Sequence, residues 1–237
     1  MIKAKEKPII FSTGLIPAIQ NLKPNVWPPE PIDPGKPWKW QTRRIIKAPV
    51  LSEVRQPDEV IFDGNVCEFA WHGNDVAGGF KIKCPYPPGT RLWVKEAWAE
   101  ISGEYIYKAS DYESLWYCDN CERIVEPEEV TYTETHDLRQ GGCGDYVGSL
   151  PLFKWRSPRF MPKAVARLWL AVKNVRVERV QEISNEDILA EGINDLGSYG
   201  ANYDYFANEI WDNINAKRGY PWENNDWVWV YEFMRIE

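Results

Sequence analysis

Short runs rich in β-branched and aromatic residues, separated by turn residues, recur from about residue 58 to the end of the chain. Such runs favour β-strands, and Gly, Pro, Asn and Asp between them favour turns. The runs cover residues 60–62, 66–71, 79–83, 91–99, 105–108, 163–180 and 227–236. Long βαβ alternation is missing from this pattern. The sequence therefore predicts an α+β chain that is mainly β, folded as a small β-barrel with peripheral short helices.

The run at 163–180 changes its alternation partway along. Leu168, Leu170 and Val172 alternate on one face, whereas Val175 and Val177 continue on the other face after Lys173-Asn174. A change of phase inside a strand predicts a β-bulge or a tight turn at that point.

Helical patterns are few and short. Apolar residues over 12–22 fall on one helical face. Ser184 followed by Asp187 predicts an N-cap that opens a helix through Glu191, with Gly192 ending it. A further helix is predicted over about 202–217, where Gly219 and Pro221 follow. Its apolar stripe consists of Phe206, Ile210, Trp211 and Ile214.

Two segments interrupt what otherwise is one domain over residues 1–237. Residues 23–38 contain six prolines and predict an extended loop. Residues of about 111–150 are polar, acidic and cysteine-bearing, and predict an insertion. The thirteen tryptophans are expected mostly in a β-rich core.

The overall charge limits the function classes. A formal net charge of −7 disfavours non-specific coating of phosphate backbones, but permits a local basic site. Pro8 and Pro17 interrupt the apolar N-terminal stretch, which argues against a signal peptide, and no apolar window of about 20 residues predicts a membrane span. An odd number of cysteines, five, favours reduced thiols in a cytoplasm. The pattern specifies no oligomeric state and no organic cofactor.

A basic cluster without acidic residues lies between Gly35 and Pro49, and a second acid-free stretch lies between Asp145 and Glu178. A solvated surface run is the plain interpretation. Interleaved Trp, Gln and Thr side chains favour instead an electropositive groove that stacks bases and binds phosphates of RNA or DNA. The candidate nucleic-acid-binding residues are Trp38, Trp40, Arg43, Arg44, Arg156 and Arg159.

Several segments, in order, resemble the ASCH domain family of the PUA-like superfamily, especially its longer phage- and prophage-associated members. The segments are Pro8 to Ser12, a short helix, Lys39-x-x-Thr42-Arg43-Arg44, Pro88 to Glu96, Arg156 to Pro162, Val177 to Ile183, Ala190 to Ile193, and Trp227 to Val230. The resemblance implies a PUA-like β-barrel with a cleft for RNA or modified bases, in the cytoplasm of a bacterium or a phage-infected cell.

Some small members of that family are amidohydrolases that deacetylate N4-acetylcytidine with a Lys, a Thr and a Glu. By position these correspond to Lys39, Thr42 and Glu191. Amide hydrolysis needs a nucleophile, a base and an oxyanion stabiliser. This chain is longer, and residues 21–38 intervene before the lysine. Three alternatives stay open: a structural Lys39–Glu191 ion pair, a non-catalytic reader of modified or single-stranded nucleic acid, and a phage protein acting through protein contacts.

A zinc-ligand pattern lies within the insertion. Cys118 and Cys121 have the spacing of a zinc knuckle, and His136 and Cys143 complete a tetrahedral set. These four residues are a candidate site for a structural zinc ion. Ordinary reduced cysteines are the alternative, and a third possibility replaces some ligands with Cys67, Cys84 or His72.

Overall fold

The computed structural model describes residues 5–47, 57, 59–71, 78–101, 104–108, 117–118, 123–124, 155–193, 197 and 199–236. The chain divides into two compact units. The first contains the described residues within Met1–Lys7, Ala18–Trp93 and Leu168–Glu237, and the second those within Pro8–Pro17 and Val94–Arg167. No helix among the described residues combines the length and the apolarity that crossing a membrane requires.

The described residues are mainly β with a few short helices, as the sequence predicts. The strands are β1 (Glu6–Ile10), β2 (Gln41–Ile45), β3 (Glu59–Phe62), β4 (Val66–Trp71), β5 (Gly78–Lys83), β6 (Arg91–Lys95), β7 (Trp98–Ile101), β8 (Glu104–Tyr107), β9 (Tyr117–Cys118), β10 (Arg123–Ile124), β11 (Trp169–Arg179) and β12 (Trp227–Arg235).

The largest sheet has five strands in the order β1-β6-β11-β12-β2. Its centre is the long antiparallel pair of β11 and β12, and β2 pairs with the other side of β12. The strands β3, β4 and β5 form an antiparallel meander, and β7 pairs with β8. Among the described residues, β1 and β2 each have one unpaired edge, so these pairings do not close a barrel.

The predicted irregularity in the long strand is confirmed. Val172 pairs with Phe233 and Asn174 with Glu232, so Lys173 is the extra residue of a bulge. The predicted start of this strand at residue 163 is wrong. Residues Lys163–Val165 form a 3₁₀ turn instead, because the Ala166 N–H donates back to the Lys163 carbonyl rather than to a neighbouring strand.

The first two predicted helices are present. Residues Thr13–Leu15 form a 3₁₀ turn that leads into α1 (Ile16–Gln20). The second helix, α2, spans Asn185–Ala190, and the Ser184 Oγ accepts a hydrogen bond from the Asp187 N–H at 3.1 Å, as predicted. Gly192 has φ of 87°, the left-handed conformation that ends a helix without a Cβ penalty.

The third predicted helix is irregular. It comprises α3 (Tyr199–Tyr205), a π-helical segment (Phe206–Asp212), α4 (Asn213–Asn215) and a 3₁₀ turn (Ala216–Arg218). Phe206 and Trp211 are buried, but Ile214 is 47% exposed, so its predicted place in the buried stripe is wrong. A π-helical segment advances fewer degrees per residue than an α-helix, which shifts the apolar stripe out of phase.

One hydrophobic cluster of the first unit packs α2 onto the large sheet. Ile188 of α2 contacts a group that includes Val228 and Val230 of β12 and Phe206 and Trp211 of the third helical region. Burying this many large apolar side chains is the main stabilising term available to the unit. The packing fixes the C-terminal end of α2 beside β2, where the candidate site lies.

Candidate functional site

The backbone on either side of Lys39 is tied to two helix ends. The Lys39 N–H donates to the Ala18 carbonyl at 3.0 Å, and the Trp40 N–H donates to the Ala190 carbonyl at 3.0 Å. Lys39 also forms an isolated antiparallel bridge with Glu191, which caps the C-terminus of α2. The segment that enters β2 is therefore positioned by α1 and α2 before any side chain is considered.

The side chains of Lys39 and Glu191, which the sequence assigned to one site, meet in the interior. Lys39 is 1% exposed, and its Nζ donates to the Glu191 Oε2 at 2.5 Å and to the Glu191 carbonyl oxygen at 2.8 Å. Burial lowers the pKa of Lys39 below its ordinary value; the Glu191 carboxylate opposes this, and the cations Arg44 and Arg43 reinforce it. The result is a desolvated lysine that holds its proton less tightly than a surface lysine does.

Arg43 lies on the other side of Glu191 and has a different role from the predicted one. Its side chain is 1% exposed. Nη1 lies 3.3 Å from the Glu191 Oε1, and Nη2 lies 2.6 Å from the Glu178 Oε1 and 2.8 Å from the Asp187 Oδ2. A buried guanidinium surrounded by three carboxylates does not reach a nucleic-acid phosphate, and instead orients Glu191.

Arg176 of β11 contacts two of the same carboxylates, Glu178 and Asp187, and also Glu232. Its Nε donates to the Glu178 Oε2 at 2.8 Å, its Nη2 to the Asp187 Oδ2 at 2.6 Å, and its Nη1 to the Glu232 Oε1 at 2.6 Å. Burial alone raises the pKa of the Asp187 carboxyl, but Arg43 and Arg176 outweigh it and bring that pKa below its ordinary value. Each carboxylate that contacts Arg43 therefore also contacts a second cation, which is Arg176 for Glu178 and Asp187 and Lys39 for Glu191.

The sequence did not identify Arg176, Glu178, Asp187 or Glu232 as site residues. The Arg176-x-Glu178 spacing places two opposite charges on one face of a strand. This spacing was the sequence signal that could have indicated an ion pair there. Three cations and four carboxylates participate. They are Lys39, Arg43, Arg176, Glu178, Asp187, Glu191 and Glu232. Buried charges are tolerated when they are paired and hydrogen-bonded, as here.

Thr42 lies on β2, is 2% exposed and pairs with Tyr231 of β12. Side chains alternate along a strand, so Thr42 and Arg44 point to one face of β2 while Gln41 and Arg43 point to the other. The nucleophile role of Thr42 stays a prediction.

The face that carries Thr42 also carries Tyr231, its cross-strand partner, and Arg44. The rings of Tyr86 and Tyr231 lie 5.3 Å apart, and the Tyr231 hydroxyl lies 3.9 Å from the Cys84 Sγ. Arg44 is half-buried beside them, and burial lowers its pKa while Glu191 and the two tyrosines raise it. Hydroxyl and guanidinium donors of this kind suit an acceptor-rich group such as a carbonyl oxygen.

Three tryptophans cluster beside Lys39 in the chain. The ring of Trp40 lies 6.4 Å from that of Trp38, tilted by 34°, and 6.4 Å from that of Trp27, edge to face. Trp38 and Trp40 are half-buried, whereas Trp27 is 40% exposed. Partly exposed indole rings provide surfaces on which a base can stack.

Asn21 anchors the proline-rich loop that carries Trp27. Its Nδ2 donates to the carbonyl oxygens of Asp33, Lys36 and Pro37 at 2.9, 3.2 and 3.1 Å, and its Oδ1 accepts from the Asp33 N–H at 2.8 Å. Proline has no N–H for a backbone ladder, so a buried side chain supplies the hydrogen bonds instead. The loop that precedes Lys39 is thereby fixed.

Two of the predicted nucleic-acid-binding residues belong to the second unit. The Arg156 guanidinium lies 4.6 Å from the ring centre of Trp98, and its side chain is 53% exposed. Arg159 is exposed on the 3₁₀ turn Pro158–Phe160, and its carbonyl oxygen accepts from the Lys95 Nζ at 2.6 Å. The Arg156 Nη2 also lies 4.0 Å from the Glu100 Oε2, so its charge is partly compensated, and the Arg159 side chain is exposed.

The predicted zinc ligands lie outside the part of the structure in which side chains are described: only the backbone of Cys118 is included, and Cys121, His136 and Cys143 are not. Among the described residues, no group of three or more His, Cys, Asp or Glu is arranged to hold a metal ion. Of the alternative ligands, His72 also lies outside, and Cys67 and Cys84 are buried. Burial raises the pKa of Cys67 to about 12 and that of Cys84 above its ordinary value, which disfavours the thiolate that binds zinc.

No family model, no curated protein and no solved structure matches the chain. The resemblance to the ASCH family therefore rests on the sequence motifs alone.

Proposed function

We propose that the chain is an ASCH-type protein with a PUA-like fold that binds a modified nucleoside or base and hydrolyses an amide bond on it, with an N4-acylated cytidine as the substrate class. The observation that carries this proposal is the buried contact between the Lys39 ammonium and the Glu191 carboxylate. Strongly perturbed, buried ionisable groups concentrate at functional sites. A buried ion pair contributes little net stability compared with apolar packing, so stability alone is a weak reason for it.

Lys39 acts as the base in this proposal. In its neutral form, the Nζ takes the proton of the Thr42 hydroxyl as the Thr42 oxygen attacks the acyl carbon. The ammonium so formed is held by Glu191 and then gives its proton to the departing N4 amine of cytidine. A water molecule hydrolyses the acyl-threonine ester and releases the carboxylic acid. The lowered pKa of Lys39 supports this role, because the neutral amine is then more accessible near neutral pH.

The two arginines after Thr42 have separate roles. Arg43 is committed to Glu178, Asp187 and Glu191, so it positions the acid and does not touch substrate. Arg44 faces the same side of β2 as Thr42, and it is the cation suited to the developing oxyanion of the acyl group. The partly exposed indole rings of Trp38 and Trp40 stack the base.

Turnover of N4-acetylcytidine, followed by liquid chromatography, tests the proposal. Lys39→Met keeps the side-chain volume and removes the base, and we expect kcat/KM to fall by a factor of about 10² to 10⁴. Lys23→Met is the matched control, because Lys23 also pairs with a glutamate, Glu30, but at the surface. The control should keep wild-type turnover. Wild-type turnover in Lys39→Met with an unchanged melting temperature would refute the catalytic role.

Two further variants test the nucleophile. Thr42→Val removes the hydroxyl while keeping the shape, and Thr42→Ser restores it. We expect turnover to be lost in the first and largely retained in the second. Equal activity of both variants would assign the attack to a water molecule that Lys39 activates, and would remove Thr42 from the mechanism.

A non-catalytic reader is the second candidate, and the Trp27–Trp38–Trp40 cluster favours it, since stacking requires no chemistry. A reader binds modified oligonucleotides in a salt-dependent way without consuming them. In that case Trp40→Ala weakens binding whereas Lys39→Met does not, and no variant changes the amount of modified base. Isothermal titration with the intact modified nucleoside separates the two functions.

A further inference from the structure

Arg43 of β2 and Arg176 of β11 are joined by two carboxylates that they share. The Asp187 Oδ2 accepts hydrogen bonds from the Nη2 of Arg43 at 2.8 Å and from the Nη2 of Arg176 at 2.6 Å. Glu178 gives one oxygen to each arginine: its Oε1 accepts from the Arg43 Nη2 at 2.6 Å, and its Oε2 accepts from the Arg176 Nε at 2.8 Å. We call these four residues the arginine–carboxylate cluster.

Opposite charges balance within the arginine–carboxylate cluster, which contains two guanidinium groups and two carboxylates. Burial by itself lowers the pKa of Arg176, but the hydrogen bonds and charges of Glu178 and Asp187 outweigh it and raise that pKa. Burial by itself raises the pKa of Asp187, and Arg43 and Arg176 outweigh it in the same way. The ionised forms of Arg176 and Asp187 therefore stabilise each other near neutral pH, and the cluster has no net charge.

The arginine–carboxylate cluster contacts Glu191 through Arg43. The Nε and Nη2 of Arg43 donate to Glu178 at 3.1 and 2.6 Å, and its Nη1 lies 3.3 Å from the Glu191 Oε1. A guanidinium group is planar, so two occupied nitrogens fix the direction of the third. The other oxygen of Glu191, Oε2, accepts from the Lys39 Nζ. The orientation of Arg43 therefore determines the orientation of the carboxylate that holds Lys39.

The same cluster also attaches the end of α2 to the sheet. The Glu191 N–H donates to the Asp187 carbonyl at 2.9 Å, so these two residues lie one helical turn apart. Asp187 binds Arg176 of β11 and Arg43 of β2, the strand that begins two residues after Lys39. Both partners of the Lys39–Glu191 pair are thus carried by segments that the cluster joins.

We propose that Arg176, Glu178 and Asp187 are positioning residues that act through Arg43 to hold the Glu191 carboxylate, and with it the Lys39 Nζ, in the geometry for proton transfer. The inference rests on the proposed function and adds to it three residues that the motif resemblance does not include. Small displacements of reacting groups cost large factors in rate, so a fixed network behind the pair is useful to an enzyme. Because the cluster has no net charge, it orients Glu191 without adding net charge beside Lys39.

Altering the charge of the cluster should change how tightly Lys39 holds its proton. The charged groups that act on the Lys39 Nζ are Glu191 at the end of α2 and Arg44 and Arg43 of β2. The other element beside Lys39, α1 (Ile16–Gln20), has no ionisable residue. Loss of one carboxylate of the cluster leaves a guanidinium charge unbalanced, which disfavours the ammonium and lowers the pKa of Lys39. Loss of one guanidinium leaves a carboxylate unbalanced and raises that pKa.

Nuclear magnetic resonance of the protein labelled with ¹³C,¹⁵N-lysine measures this proton affinity directly, without turnover. The Lys39 signal is identified by its absence in Lys39→Met. We expect Asp187→Asn to lower the midpoint of the Lys39 titration and Arg176→Met to raise it, each by at least about half a pH unit. Glu178→Gln should act in the same direction as Asp187→Asn, and it replaces that variant if Asp187→Asn does not fold.

Two control variants separate charge and position from general loss of stability. Arg176→Lys keeps the positive charge, so its Lys39 midpoint should lie near that of wild type. Glu96→Gln also removes a buried carboxylate, whose partner is Arg167 in the second unit. It should lower the melting temperature and leave the Lys39 midpoint unchanged.

Turnover of N4-acetylcytidine provides the second readout. In Asp187→Asn we expect kcat to fall by up to about 100-fold with KM nearly unchanged, because the residue positions Glu191 and does not touch substrate. The acidic limb of the pH profile of kcat/KM should move with the Lys39 midpoint, since Lys39 must be neutral to act as the base.

Midpoints that stay at the wild-type value in folded Asp187→Asn and Arg176→Met, or that move in the same direction in both, would overturn the inference. An equal shift in Glu96→Gln, or a raised KM with unchanged kcat in Asp187→Asn, would do the same. The proposed function fails separately: wild-type protein without turnover refutes the hydrolase, while opposite shifts of the Lys39 midpoint would still show that the cluster controls the Lys39–Glu191 pair.

Discussion

The Nζ of Lys39 donates to two oxygens of one residue, the backbone carbonyl and the Oε2 of Glu191, at 2.8 and 2.5 Å. Since Glu191 is the C-cap of α2, the carbonyl that Lys39 binds is one of the helix-end carbonyls without an intrahelical partner. A lysine there is favourable for the helix dipole. The ion pair and the helix end are therefore one structural feature, and displacing either displaces the other.

Removing the acid of this pair should destabilise the protein strongly. Glu191→Ala leaves the Lys39 ammonium buried without its carboxylate, and the expected loss in the free energy of unfolding is about 3–5 kcal/mol. Glu30→Ala is the control, because its ion pair with Lys23 lies at the surface, and about 0–1 kcal/mol is expected there. Urea denaturation of both variants provides the measurement. Equal losses would show that burial does not distinguish the two pairs.

Gly192 should be sensitive to a single added methyl group. A Cβ at this position would lie 3.0 Å from the Lys39 Cβ and 3.3 Å from the Ala18 Cβ, and φ is 87°. Gly219 has the same φ of 87°, but a Cβ there meets nothing within 4 Å. Gly219→Ala should lose about 1 kcal/mol through backbone strain alone, and Gly192→Ala about 1–3 kcal/mol more through overpacking. The difference in thermal stability between the two variants measures the close contacts with Lys39 and Ala18, and an equal loss in both variants would show that these contacts cost nothing.

Asp187 should contribute to stability in a pH-dependent way. Its folded-state pKa lies below the ordinary value of 3.8, so its contribution is complete above that value and is lost as the pH falls through the folded-state pKa. Asp187→Asn should therefore be less stable than wild type near neutral pH, and the difference should shrink as the pH approaches about 2. Unfolding free energies measured from pH 2 to 7 test this. A difference that is constant with pH would contradict it.

Zinc content tests the prediction for Cys118, Cys121, His136 and Cys143. Elemental analysis of the purified protein should find about one zinc ion per chain, and Cys121→Ser should reduce it, because structural zinc sites retain metal tightly. Cys67→Ser is the control and should leave the zinc content unchanged, since its buried thiol has a pKa of about 12. Zinc below about 0.3 per chain would favour ordinary reduced cysteines.

Local features of the fold could be predicted where a residue acts within its own segment. The Ser184 cap, the bulge at Lys173 and the helix end at Gly192 all follow from side-chain chemistry or backbone conformation over a few residues. The exposure of Ile214 was not predicted, because the π-helical segment before it changes the number of residues per helical turn. No residue type in that segment indicates this change.

For the candidate site too, some residues could be identified from the sequence, whereas their contacts could not. The motif resemblance pointed to Lys39 and Glu191, although 152 residues separate them in the chain. Arg43 was assigned to nucleic acid, because in the sequence its neighbours are cations and tryptophans. In the fold, its guanidinium meets carboxylates from β11 and from α2.

By itself the sequence determined a mainly β chain, its turns and caps, and the presence of a basic segment next to tryptophans, because these depend on residue type and short-range spacing. Only the tertiary structure decided which charges pair. Pairing of β2 with β12, and packing of α2 against that sheet, place Arg43 among Glu178, Asp187 and Glu191. Electrostatic energy depends on distance and burial in three dimensions, so a cation from a basic run of sequence binds three carboxylates in the fold.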